Sequence, residues 1–97
     1  MKTEDVTLFH RIAETGSLSA AASLLNQPKS TLSRRLLALE EELNTKLFHR
    51  HNRVMTLTAA GSLFYDKSVK LIADLEATMI AMTDQKADVA GHLRVLL

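Results

Sequence analysis

The chain has 97 residues, 46% of them hydrophobic, and a formal net charge of only +1. That suffices for one small domain plus an extension, with a modest core. Lack of Cys excludes disulfides and thiolate metal sites and fits a reducing cytoplasm; the polar Met1–Arg11 start does not read as a signal peptide, and no apolar run approaches the roughly 20 residues that span a bilayer.

A first helix is expected over residues 4–14, where Val6, Phe9, Ile12 and Ala13 share one face. Gly16 ends it, and Ser17 can cap a second helix over about 18–25 by accepting an orphan backbone N–H. That helix is short, and Ala20, Ala21 and Ala22 let a neighbour approach closely. Asn26-Gln27-Pro28 breaks the pattern, and Pro28 suits a helix start because its missing N–H costs nothing there. The third helix is expected over 29–43. At 100° per residue, Leu32, Leu36, Leu39 and Leu43 fall within an arc of about 60°. Ser30 and Arg34 point the opposite way, flanked by Thr31 and Ser33. Glu40-Glu41-Glu42 read as the solvated half of this helix.

Residues 47–57 change character. A turn centred on His51-Asn52-Arg53 separates Leu47-Phe48 from Val54-Met55-Thr56-Leu57, which predicts a β-hairpin. Thr58 then caps a long helix to about residue 86, roughly 40 Å at 1.5 Å per residue. Its stripe is Phe64, Tyr65, Leu71, Ile72, Leu75, Met79 and Met82. So long a stripe cannot be buried against so small a domain, and the cheapest partner is a second copy of the chain. Residues 87–91 loosen the pattern, and 92–97 look like a single strand. The predicted fold is mainly α: three helices and a hairpin wing over 1–57, a linker and dimerisation helix over 58–86, then a hinge and strand over 87–97.

The charge is unevenly placed. Residues 29–56 hold Lys29, Arg34, Arg35, Lys46, Arg50 and Arg53 against three glutamates, while the segments on either side are each net −1. Two helices joined by a tight turn, the second amphipathic, match the arrangement that places a helix start in the DNA major groove. Here that start offers Lys29, Ser30, Thr31, Ser33 and Arg34. Arg can hold guanine O6 and N7 together, and Ser, Thr and Lys reach base edges or phosphates. Amides at a helix start can also bind a phosphate. Arg50 and Arg53 on the hairpin can follow the backbone or enter a narrow minor groove. Alternatives are an ordinary helical hairpin with solvated charges, or a helical module that dimerises through 58–86 and docks a protein. Joint metal binding by His49 and His51 is disfavoured against ordinary surface histidines, and no metal or cofactor is expected. No phosphate-binding Gly-rich loop and no Ser-His-acid set is present, so an enzyme is not expected.

Phe9 with Ala13-Glu14-Thr15-Gly16-Ser17-Leu18 resembles the opening of LysR-type transcription regulators. Ala20-Ala21-Ala22-x-x-Leu25 resembles their second helix, and Ser33-Arg34-Arg35-Leu36-x-x-Leu39-Glu40-Glu41-Glu42-Leu43 their recognition helix. Leu47-Phe48-x-Arg50 and Leu57-Thr58-x-Ala60-Gly61 are similar to the wing and the linker start, and Gly91-x-Leu93-Arg94-Val95 to the first strand of the effector domain. The resemblance implies a winged helix-turn-helix with a linker helix. It implies sequence-specific binding of double-stranded DNA at a partly palindromic operator, by a cytoplasmic, nucleoid-associated bacterial homodimer. Higher oligomers form in full-length members. The implied DNA-binding residues are Ser17, Lys29, Ser30, Thr31, Ser33, Arg34, Arg35, Arg50 and Arg53. The implied dimer contacts are Phe64, Leu71, Ile72, Leu75, Met79 and Met82. Lys29 and Ser30 stand where the family commonly has Gln and Pro, which points to a different target sequence. The small-molecule effector domain is expected to be absent apart from its first strand, so the chain is expected to bind DNA without sensing an effector.

Overall fold

The breaks predicted at Gly16, at Asn26-Gln27-Pro28 and before Thr58 all form. In a computed structural model, which describes residues 1–91 and side chains to residue 84, the order is α1 (Thr3–Thr15), α2 (Leu18–Leu25), α3 (Lys29–Leu43), β1 (Phe48–His51), β2 (Val54–Leu57) and α4 (Ala59–Gly91). Gly16 ends α1 at φ 67°, with its N–H bonded to the Ile12 carbonyl, a backbone conformation that favours glycine. Ser17 caps α2, its Oγ accepting from Ala20 N–H at 3.1 Å. Asn26 and Asn44 close α2 and α3 in the left-handed region. Pro28 sits one residue outside α3, and its carbonyl accepts from Thr31 and Leu32.

Three helices pack on one core. Leu8, Phe9 and Ile12 of α1, Ala21 of α2, and Leu32, Leu36 and Leu39 of α3 are almost fully buried, and Leu47, Phe48 and Met55 close the hairpin end. The Phe9 ring lies at the centre, with centroids 5.4 Å from Phe48 and 4.9 Å from Phe64. It therefore joins α1, the hairpin and α4, with tilted aromatic contacts adding to the buried area.

The strands pair antiparallel with Phe48 opposite Leu57 and His51 opposite Val54. That leaves only Asn52-Arg53 as the turn, tighter than the three-residue centre expected. Both have positive φ, 49° and 68°. Positive φ at both central residues matches the twist of the flanking strands, and the second position prefers Gly. A left-handed L-residue costs roughly 1–2 kcal/mol, so Arg53 holds its place against a backbone penalty.

Thr58 starts α4 as predicted. Its Oγ1 accepts from Gly61 N–H at 2.9 Å and donates to the Lys46 carbonyl at 2.7 Å. Gly61 is required by close approach, since an added Cβ would stand 2.1 Å from the Leu47 carbonyl oxygen. The helix continues to Gly91, so residues 87–91, expected as a hinge, are helical. The expected strand at 92–97 lies outside the described residues. Among the described residues, no helix is long and apolar enough to cross a membrane.

His10 seals the joint between α1 and α4. It is buried, and its Nε2 lies 2.7 Å from the buried Ser68 Oγ. Ser68 Oγ donates to the Tyr65 carbonyl, which leaves His10 Nε2–H as donor to Ser68. Burial pushes the His10 pKa down; Glu14 opposes this, and Arg11 adds to it.

Candidate nucleic-acid interface

The start of α3 is exposed. Lys29, Ser30 and Arg34 are exposed, Thr31 and Ser33 are half-buried, and the helix has no side-chain cap. The leucine arc faces the core, so the opposite side of α3 projects these polar groups outward. Beside it, three elements converge on one cleft of about 460 Å³, lined in part by Ser17, Ser19, Lys29, Arg50 and Arg53. Ser17 and Ser19 come from the start of α2, Lys29 from the start of α3, and the arginines from the hairpin. Two helix starts with their partial positive charge, a Lys and two Arg therefore face one space, an arrangement suited to an anionic backbone.

The hairpin is held there by three anchors. Met55 N–H donates to the Gly16 carbonyl at 2.9 Å, tying β2 to the α1–α2 turn. Thr58 N–H donates to the Leu47 carbonyl at 3.0 Å. Glu40 supplies the third, with Oε2 accepting from Leu47 N–H at 2.8 Å and lying 3.4 Å from Phe48 N. Glu40 is buried, so the expectation of three solvated glutamates holds only for Glu41 and Glu42. The chain after α3 folds back over Glu40, and its buried amides take the carboxylate as acceptor.

Two further expectations need revision. Arg35 does not extend from the reading face: its guanidinium pairs with Asp5 at 3.0 Å, bracing α3 against α1. The Asp5 carboxyl is held below its usual range first by the Lys2 N–H and then, against a desolvation cost, by Arg35. Phe64, expected in a dimer stripe, is half-buried and packs its ring on Phe9. The same face of α4 then runs on uncovered. Ile72 is half-buried, while Leu71, Leu75, Met79 and Met82 are 67%, 50%, 59% and 62% exposed. At 100° per residue these positions and Phe64 fall within an arc of about 100°. Sequence reasoning missed Ser19, although Ser17-x-Ser19 at a helix start was visible. It also missed Glu40, which lies at the edge of the leucine arc.

These features define a winged helix-turn-helix domain with a projecting helix. Residues 3–62 match the model of the bacterial regulatory helix-turn-helix protein, lysR family, and the chain belongs to that family. It is 40% identical over 92 residues to the iron-regulated virulence regulatory protein IrgB of Vibrio cholerae, an alignment covering 95% of this chain and 31% of that protein. It is 41% identical over 95 residues to the HTH-type transcriptional regulator CzcR of Bacillus cereus, covering 98% of this chain and 33% of that protein. The chain thus spans about a third of the length of these regulators. Among solved structures, the BenM DNA-binding domain in its complex with catB site 1 DNA superposes with a TM-score of 0.83 at 31% identity, covering 97% of this chain and all of that one. The full-length Vibrio cholerae virulence activator AphB gives 0.74 at 38% identity, over 87% of this chain and 29% of that one.

Proposed function

We propose that the chain is the DNA-reading portion of a bacterial transcription regulator, binding double-stranded DNA sequence-specifically and catalysing no reaction. The observation that carries this is the convergence of Ser17, Lys29, Arg50 and Arg53 on one cleft beside the exposed start of α3. In this reading α3 enters the major groove, and Ser30, Ser33 and Arg34 meet base edges, with Lys29 and Thr31 at the margins. Arg50 and Arg53 follow the backbone or the minor groove, and Ser17 and the α2 start hold a phosphate. Arg35 braces the reading helix. Two chains pair through Leu71, Ile72, Leu75, Met79 and Met82 of α4 and present two reading helices to a partly palindromic site. The DNA complex of the BenM domain supports this reading, as does the regulator class of the relatives, which also favours a cytoplasmic, nucleoid-associated protein. Residues 1–57 form the reading unit and α4 the linker, and a small-molecule effector would act through a further domain of the whole protein.

The test is titration of a labelled duplex, enriched by this chain from a random pool, at several salt concentrations. The binding constant should fall steeply with salt as counterions are released; indifference to salt overturns the reading. Arg34→Ala should cost about 1–3 kcal/mol on the enriched duplex and relax preference at one base position. An equal loss on all duplexes would assign Arg34 to phosphate instead.

A further inference from the structure

We propose that Glu40, although buried and out of reach of any duplex, sets the angle of the wing against α3 and so determines DNA affinity as a positioning residue. The inference rests on the reading of α3 and the hairpin as a joint DNA surface. Glu40 is the side chain that ties α3 to the start of β1. Its Oε2 accepts from Leu47 N–H at 2.8 Å, and both Glu40 and Leu47 are buried. Glu40 Oε1 has no hydrogen-bond partner, and Lys46 Nζ lies 4.0 Å from it, at the limit of an ion pair and on a side chain that is 75% exposed. The carboxylate is therefore kept in the interior mainly by the backbone amides of Leu47 and Phe48. A buried acceptor shared by the Leu47 N–H and, at 3.4 Å, the Phe48 N–H fixes direction, because leaving these groups unpaired costs more than the bonds themselves contribute.

The lever explains why this matters for binding. β1 rises about 3.3 Å per residue, so the Asn52-Arg53 turn stands about 15 Å beyond Leu47. A 10° tilt at Leu47 would move the turn by about 2–3 Å, more than the distance tolerance of a hydrogen bond to phosphate. The Met55–Gly16 bond holds the hairpin at the Arg50–Met55 pair, and Glu40 adds a restraint at its base, where β1 leaves the core. Glu40 and the Met55–Gly16 bond together fix where Arg50 and Arg53 stand relative to Arg34.

The test is a double-mutant comparison on the enriched duplex, using chains of residues 1–97 shown folded by circular dichroism and corrected for active fraction. Glu40→Ala should weaken binding about tenfold when the wing is intact and less than twofold in an Arg50→Ala/Arg53→Ala background, because a misplaced wing without its cations has little left to lose. Glu40→Gln, which keeps an acceptor oxygen for Leu47 N–H, should bind within twofold of the unaltered chain. If Glu40→Ala does not fold, Glu40→Asp carries the same comparison, since the shorter side chain cannot reach Leu47. Equal losses in both backgrounds, or no loss with the wing intact, would overturn the proposal and leave Glu40 a stability residue only. An Arg50→Ala/Arg53→Ala chain that binds at full strength would also overturn it, while leaving the major-groove reading in place. Failure of the unaltered chain to bind any duplex would overturn both.

Discussion

Replacing Arg53 separates what the wing costs from what it contributes. Arg53 occupies a left-handed position at φ 68°, the second central residue of a two-residue hairpin turn. An L-residue there pays roughly 1–2 kcal/mol. Glycine escapes that penalty but loses more entropy on folding, an offset of about 0.4–1 kcal/mol. Arg53→Gly should therefore be more stable than Arg53→Ala, which keeps the strain and also lacks the guanidinium. The expected difference is about 0.5–1 kcal/mol, or about 2–8 °C in Tm for a domain of this size. Both variants should bind DNA alike and more weakly than the unaltered chain. Each should reduce the slope of log affinity against log salt by about 1 per lost phosphate contact, and so by about 2 for a dimer. Thermal melting and a salt series of duplex titrations measure the two effects independently. Arg53→Gly melting at or below Arg53→Ala would refute the strain argument, and an unchanged salt slope would remove Arg53 from the backbone.

Leu75→Asp with Met79→Asp, both on the exposed face of α4, should convert a dimer to a monomer in sedimentation while leaving the Tm of the reading domain within a few degrees; a dimer that persists would place the interface elsewhere. Gly61→Ala should destabilise by about 2–4 kcal/mol in a denaturant titration, because its Cβ would collide with the Leu47 carbonyl backbone rather than a movable side chain. A mild effect would mean that the start of α4 can shift. His10 is neutral in the fold because burial lowers its pKa, so its contribution is fully present above its ordinary value of 6.5 and is lost as pH falls below it. Between pH 7 and 5, Tm should fall more steeply for the unaltered chain than for His10→Gln, and parallel curves would show that His10 titrates as an exposed group.

The turn and cap chemistry that ends each helix was legible in the sequence because those signals are local. Gly16, Ser17, Pro28 and Thr58 act on backbone groups within a few residues of themselves, and the structure uses each at a helix boundary. The leucine arc of α3 was equally legible, since one helix period decides which side is buried. What sequence could not decide is how side chains at the edge of an arc are used. Glu40 and Arg35 flank that arc on opposite sides, and each looks like a surface charge when α3 is taken alone. The fold-back of the chain at Leu47 buries one, and the approach of α1 with Asp5 engages the other. Phe64 likewise belongs to a continuous stripe on α4, and only the position of Phe9 divides that stripe into a covered part and an exposed part. Period and spacing determined the elements and the polar face of α3. Tertiary contact, by choosing which amides, acids and rings meet, decided which charges stay exposed and which pair within the domain.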